Sequence, residues 1–192
     1  MALAACAFCV SAQDQYVLSS NGNVNLRVSP TTSAAKAGTL SRFSPVPLVE
    51  ELDGWYKVET EGKTAYVSQS VTNVCDALVP KEIYGKNLTS TDALDKIRFQ
   101  GDITIESVDN SHALITVNWM RLNLPAETEY FLADVKEGRI TATHSGISYV
   151  DCSSSPSSIR EELFELDHPL PVGFDEFNTT VYFNGGSYSE FE

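Results

Sequence analysis

In the first half of this chain, short apolar runs alternate with turn residues, and within the runs apolar and polar positions alternate one by one. A period of two is the mark of strands with one buried face. In Val24-Asn25-Leu26-Arg27 it sends Val24 and Leu26 inward, with Asn25 and Arg27 outward. Tyr16 to Leu18 reads as an earlier strand, before the turn Ser20-Asn21-Gly22-Asn23. Val46 to Val49 leads to the turn Asp53-Gly54, Trp55 to Glu59 returns, and Glu61-Gly62 turns the chain again before Thr64 to Val67. Several short strands packed into so few residues predict a small barrel. On the strand from Trp55, Tyr56 and Val58 share the core face, so Trp55 and Lys57 face out. Tyr66, beside core Val67, faces out as well.

From Phe99 the alternation returns with longer strands. Ile103 and Ile105 alternate with polar residues, Asp109-Asn110-Ser111 turns, and Ala113, Ile115, Val117 and Trp119 share a face. Met120, Leu122 and Leu124 continue one residue out of phase, which predicts a bulge. Tyr130 to Val135 and Arg139 to Thr143 form a hairpin across Glu137-Gly138, and Thr180 to Phe183 is a closing strand. Between them, Pro156 to Leu166 fits a short helix: Ser158 and Glu161 make a capping box, and Ile159, Leu163 and Leu166 fall at i, i+4 and i+7. The expected class is mainly β, a small barrel followed by a second β-rich domain, sandwich or sheet, with one short helix. The expected boundaries are 1–12 for a leader remnant, 13–75 for the barrel, 76–97 for a connector and 98–192 for the second domain.

Charge separates these regions. The chain of 192 residues carries a net charge of −13. Residues 13–75 are close to neutral, while 76–192 hold 20 Asp and Glu against 8 Lys and Arg. An acidic half of this kind repels phosphate backbones and anionic membrane surfaces, so nucleic acid is excluded as a partner. Met1 to Ala12 is apolar and ends in Val10-Ser11-Ala12, with small residues where a signal peptidase cuts. It is shorter than the about 20 apolar residues that span a bilayer. A clipped secretory signal is the expectation, and with it a secreted or periplasmic location. Two other readings stay open: Leu3-Ala4-Ala5-Cys6 resembles a lipobox, which would place a lipid anchor on Cys6, and the segment also reads as a buried N-terminal strand.

The barrel segments Val24-Asn25-Leu26-Arg27-Val28-Ser29-Pro30, Gly38-Thr39-Leu40, Asp53-Gly54-Trp55-Tyr56-Lys57-Val58 and Gly62-Lys63-Thr64-Ala65-Tyr66-Val67-Ser68 resemble the bacterial SH3 (SH3b) domain in order, spacing and residue type. The resemblance covers roughly a third of the chain. It implies a binding module that recognises cell-wall peptidoglycan or another envelope ligand, a protein partner included. The outward set Trp55, Tyr66, Asn25 and Arg27 is the candidate ligand surface: flat aromatic faces take sugar rings or peptide side chains at low entropic cost, and the amide and guanidinium add directional hydrogen bonds. The chain departs from the family pattern at Val28, where a small residue is frequent, and at Ala65-Tyr66, which replaces Gly-Trp.

After the leader, two cysteines remain, Cys75 and Cys152. In an oxidising compartment they suggest one disulfide closing a 78-residue loop, with a stabilisation of about 4.5 kcal/mol on the chain-entropy model. Two unpaired buried thiols are the alternative. Asp151-Cys152-Ser153 also resembles the start of the nucleophile motif of NlpC/P60 cysteine peptidases. The glycine after Ser153 is missing, and His168 is the only histidine downstream. His112 and His144 have no second ligand at metal spacing, and the acidic runs at Glu161-Glu162, Glu165, Asp167 and Asp175-Glu176 lack a calcium-loop pattern. No metal, no cofactor and no catalysis is expected; oligomeric state is not legible.

Overall fold

The computed structural model describes residues 14–90, 95–151 and 158–190; the leader, the Cys6 lipobox and Cys152 lie outside them. The described residues form sixteen strands. The barrel region contributes β1 (Gln15–Leu18), β2 (Val24–Arg27), β3 (Lys36–Leu40), β4 (Val46–Leu52), β5 (Trp55–Thr60) and β6 (Lys63–Ser68). A 3-10 turn, Gln69–Val71, leads into β7 (Asn73–Asp76). Then follow β8 (Asn87–Ser90), β9 (Arg98–Ser107), β10 (His112–Arg121), β11 (Leu124–Lys136), β12 (Arg139–Asp151) and β13 (Ser158–Pro171). The chain closes with β14 (Gly173–Asp175), β15 (Thr180–Phe183) and β16 (Gly186–Tyr188).

The first sheet runs β16-β15-β14-β7-β1-β4-β5-β6-β2-β3 and the second β13-β12-β11-β10-β9-β8. Period-two residues fill the barrel as expected: Val17, Leu26, Leu40, Leu48, Val58, Ala65 and Val67 form its core. The turns are made by backbone that only a few residues accept. Glu61 and Gly62 stand at φ of 50° and 68°, and Glu137 and Gly138 at 53° and 83°. Two consecutive positive φ values are what a tight two-residue hairpin of this hand requires.

The second sheet buries one face. Ile103, Ile105, Ala113, Ile115, Val117, Trp119, Phe131 and Ala133 point into it and meet Val181, Phe183 and Tyr188 of the last hairpin. Trp119 lies 6.0 Å from Tyr188, centroid to centroid, and Phe131 meets Phe183 edge-on at 5.0 Å. The bulge falls where the phase slips: the pairing of β10 with both neighbours shifts beside Arg121. The hairpin across Glu137-Gly138 and the strand Thr180–Phe183 are both present.

The expected helix is corrected. From Ser158 the chain is strand, pairing residue by residue with β12 from Asp151↔Ser158 to His144↔Glu165. The apolar spacing misled because β13 is an outer strand. Leu163 is 60% and Phe164 46% exposed, so neither face of it had to be uniformly apolar.

The two regions are stitched together. β14 pairs with β7 through Phe174↔Asp76, so the last three strands extend the barrel's sheet. Arg139 forms an ion pair with Asp14, Val79 N donates to Gly138 O at 3.0 Å, and Phe43 stacks on Tyr182 at 5.7 Å. Residues 76–97, expected as a connector, supply β8, which pairs with β9 and exchanges hydrogen bonds between Thr89 and Ser189.

Candidate functional site

The outward face of the barrel follows from strand register. Trp55 pairs with Ser68 and Lys57 with Tyr66 between β5 and β6, while Arg27 of β2 pairs with Tyr66 from the other side. Residues paired directly across neighbouring strands share a face. Trp55, Ser68, Lys57, Tyr66 and Arg27 therefore lie on one surface, opposite the core residues Val58, Ala65 and Val67.

Part of that surface is concave. A cleft of about 310 Å³ is lined by Asn23, Val24, Asn25, Arg27, Thr32, Trp55, Ser68 and Val71. Three of the four residues nominated from sequence, Trp55, Asn25 and Arg27, thus converge on one cavity. Tyr66 is not in its lining; it sits beside Arg27 in the register, next to Lys57, whose ammonium pairs with Glu50 at 3.2 Å.

The cleft is braced from behind. Gln69 donates through its side-chain amide to Leu52 O at 3.1 Å, to Glu51 Oε1 at 3.2 Å and to Trp55 O at 3.4 Å, and its own N–H reaches Gly54 O at 3.1 Å. One glutamine so ties the β4–β5 turn to the 3-10 turn and fixes the main chain that carries the indole. Ser68 caps that turn, its hydroxyl 2.9 Å from Ser70 Oγ, and Thr72 Oγ1 donates to Ser68 O at 2.9 Å. On the far wall Arg27 Nη1 donates to Ala34 O at 2.9 Å, which pins the loop holding Thr32 and orients the guanidinium. An oriented cation, an amide, two hydroxyls and a half-buried indole suit a neutral or anionic polar ligand with one flat apolar face.

Ser68 and Gln69 were not nominated from sequence. Ser68 was within reach, since it follows Tyr66 by two on a period-two strand; Gln69 stands in a polar turn with no periodicity to flag it.

Cys75, expected as one half of a disulfide, has no disulfide partner among the described residues and is 5% exposed. A Cβ added to Gly173 would come within 2.6 Å of its sulfur and 3.0 Å of Pro45, so bare glycine backbone lets strand β14 close over the thiol. Burial pushes the thiol's pKa up, and Asp76 adds to the effect. This sulfur is screened from attack and is a poor nucleophile. Cys152 lies outside the described residues. Upstream of it β12 runs as strand to Asp151, and downstream His168 is exposed on β13. No group of three or more His, Cys, Asp or Glu among the described residues could hold a metal ion. No helix among them is long and apolar enough to cross a membrane.

No curated protein matches the chain. Residues 22–72, which carry β2 to β6, the cleft and its bracing turn, match the family model of the bacterial SH3 domain.

Proposed function

We propose that this chain is a non-catalytic recognition protein of the bacterial cell envelope, secreted or periplasmic, whose barrel binds cell-wall peptidoglycan in the cleft of Trp55, Asn25 and Arg27. The observation that carries the reading is the convergence of these three side chains on one cavity. At about 310 Å³ it lies at the small end of ligand sites and suits a sugar ring with a short peptide stem. The indole offers the flat face a pyranose stacks on. The pinned guanidinium faces carboxylates, which peptide stems supply.

The test is co-sedimentation of the mature protein with purified peptidoglycan. Binding should weaken at least about tenfold on Trp55→Ala, a loss of about 1.4 kcal/mol, with the thermal midpoint lowered by no more than about 4 °C. Absence of co-sedimentation at every salt concentration sinks the reading.

A second reading, recognition of another envelope protein, is favoured by two exposed valines, Val71 of the cleft lining and Val28 next to Arg27 in sequence. Val71 and Val28 are 46% and 55% exposed. It predicts a specific envelope partner that Trp55→Ala releases while peptidoglycan is ignored. Cysteine-peptidase activity at Cys152 is the remote alternative; muropeptide cleavage lost on Cys152→Ser would establish it. The Cys75–Cys152 pairing is tested by a free-thiol count in denaturant without reductant.

A further inference from the structure

The strand that the sequence disguised as a helix leaves a long edge open. β13 is outermost in its sheet, and no strand among the described residues pairs with its outer side. Its register with β12 is unbroken over eight pairs, from Asp151↔Ser158 to His144↔Glu165. In an antiparallel edge strand, alternate residues turn both N–H and C=O away from the sheet. The opposite edge of the same sheet is closed differently: Thr89 and Ser189 exchange hydrogen bonds of 2.8 and 3.0 Å over β8.

Proteins blunt such edges with lysine, proline or short length. From Ser158 to His168 this strand has no proline and no lysine; it has Glu161, Glu162, Glu165 and Asp167 against the single Arg160. Two consecutive apolar residues, Leu163 and Phe164, stand exposed at its centre. Their partners on β12 are Gly146 and Ser145, too small to cover them. A second copy of the chain would bring four more acids against one arginine, a like net charge along the whole edge. A basic strand meets no such penalty.

We infer that the β13 edge is a docking site for an extended, lysine- or arginine-bearing segment of a partner protein, added as a seventh strand with apolar residues flanking Leu163 and Phe164. Main-chain hydrogen bonds supply the affinity, and the acidic residues select the sign of the partner. This site is separate from the barrel cleft and stands or falls without it.

The experiment uses the full chain and three ten-residue probes: a peptide alternating lysine with valine, one alternating glutamate with valine, and the lysine peptide N-methylated at every second residue. Amide hydrogen exchange is read by residue. The lysine peptide should slow exchange between 159 and 165 at least about tenfold, and the other two should leave it unchanged. Glu165→Lys, an exposed change whose folding is checked by circular dichroism, should weaken the lysine peptide and admit the glutamate peptide. Four results overturn the proposal: no protection of these amides; equal protection by the N-methylated peptide, which means charge attraction without strand pairing; protection at another edge; and protection that rises with protein concentration alone, which means a second copy holds the edge.

Discussion

The two tryptophans of this chain have opposite fates, and the contrast separates its two regions. Trp119, on the long strand β10, is 1% exposed and packs with Tyr188, Phe131 and Phe183 in the core of the second sheet. Trp55, on the short strand β5, lines an open cleft. The barrel encloses little volume, and Val17, Leu26, Leu40, Leu48, Val58, Ala65 and Val67 fill it. An indole added to that interior would overpack it, so Trp55 lies on its surface, where it is free to meet a ligand. Five of the second sheet's six strands are ten to fourteen residues long, and aromatics supply the area at its centre.

The most direct way to break this comparison is to truncate both rings. Trp119→Ala should lower unfolding free energy by about 3–5 kcal/mol in urea titration. Trp55→Ala should cost less than about 1 kcal/mol while removing ligand binding. If the two losses are equal, the Trp55 indole is a structural brace and the cleft loses its principal ligand contact.

A finer test leaves Trp119 in place and crowds it. A Cβ on Gly101 would meet the Trp119 ring at 2.7 Å, and the ring already packs against Tyr188 at 6.0 Å between centroids. Gly101→Ala should destabilise by about 1–3 kcal/mol through overpacking. Gly62→Ala, in the barrel turn at φ of 68°, has open space around the new methyl and is penalised by backbone strain alone. It should cost less, about 1 kcal/mol. Thermal or urea unfolding of both variants sets packing in one region against backbone geometry in the other.

Much of this contrast was legible in the sequence, because both cores obey the period of two. Outward Trp55 and Lys57 and inward Ala113 to Trp119 follow from alternation alone, and Glu61-Gly62 and Glu137-Gly138 announced their turns. What stayed hidden has a common cause. Edge strand β13 leaves its neighbouring residues Leu163 and Phe164 both exposed, so burial imposed no alternation there, and Ile159, Leu163 and Leu166 matched a helix by chance. The pairing of Phe174 with Asp76 joins residues about a hundred positions apart, and no local pattern encodes it. At the site, Asn25, Arg27 and Trp55 were found because strands reveal facing; Gln69, which braces them, stands in a 3-10 turn where facing has no simple period.

Removing one atom from the second core gives a smaller effect of opposite sign. Tyr188 is fully buried and its hydroxyl has no hydrogen-bond partner among the described residues. Burial, reinforced by Glu129, drives its pKa far above that of a free phenol, so it stays neutral and adds an unmet donor to the core. Tyr188→Phe should leave stability unchanged or raise it by up to about 1 kcal/mol. A loss above about 2 kcal/mol would mean that the hydroxyl has a partner, and the urea midpoint distinguishes the two.

The last difference lies in how the regions hold their turns. Glu61 and Gly62 turn the barrel hairpin with backbone conformation, whereas the β9–β10 turn is held by a side chain. The Asp109 carboxylate accepts from Ser111 N at 2.7 Å and from Ser111 Oγ at 3.0 Å, and lies 2.9 Å from His112 Nδ1. The Ser111 amide first, then His112, lower its pKa to about 2, below the ordinary 3.8. A depressed carboxylate pKa means that the folded turn prefers the ionised form. Its contribution is complete above the ordinary value and disappears as pH falls from about 4 to about 2. Exchange at the Ser111 amide should therefore accelerate over that window, beyond the intrinsic change, while exchange at Gly62 follows the intrinsic rate. Asp109→Asn should flatten the Ser111 response, because an amide cap does not titrate. If Ser111 loses protection over the same window in the asparagine variant, acid acts on the sheet as a whole and not through this carboxylate.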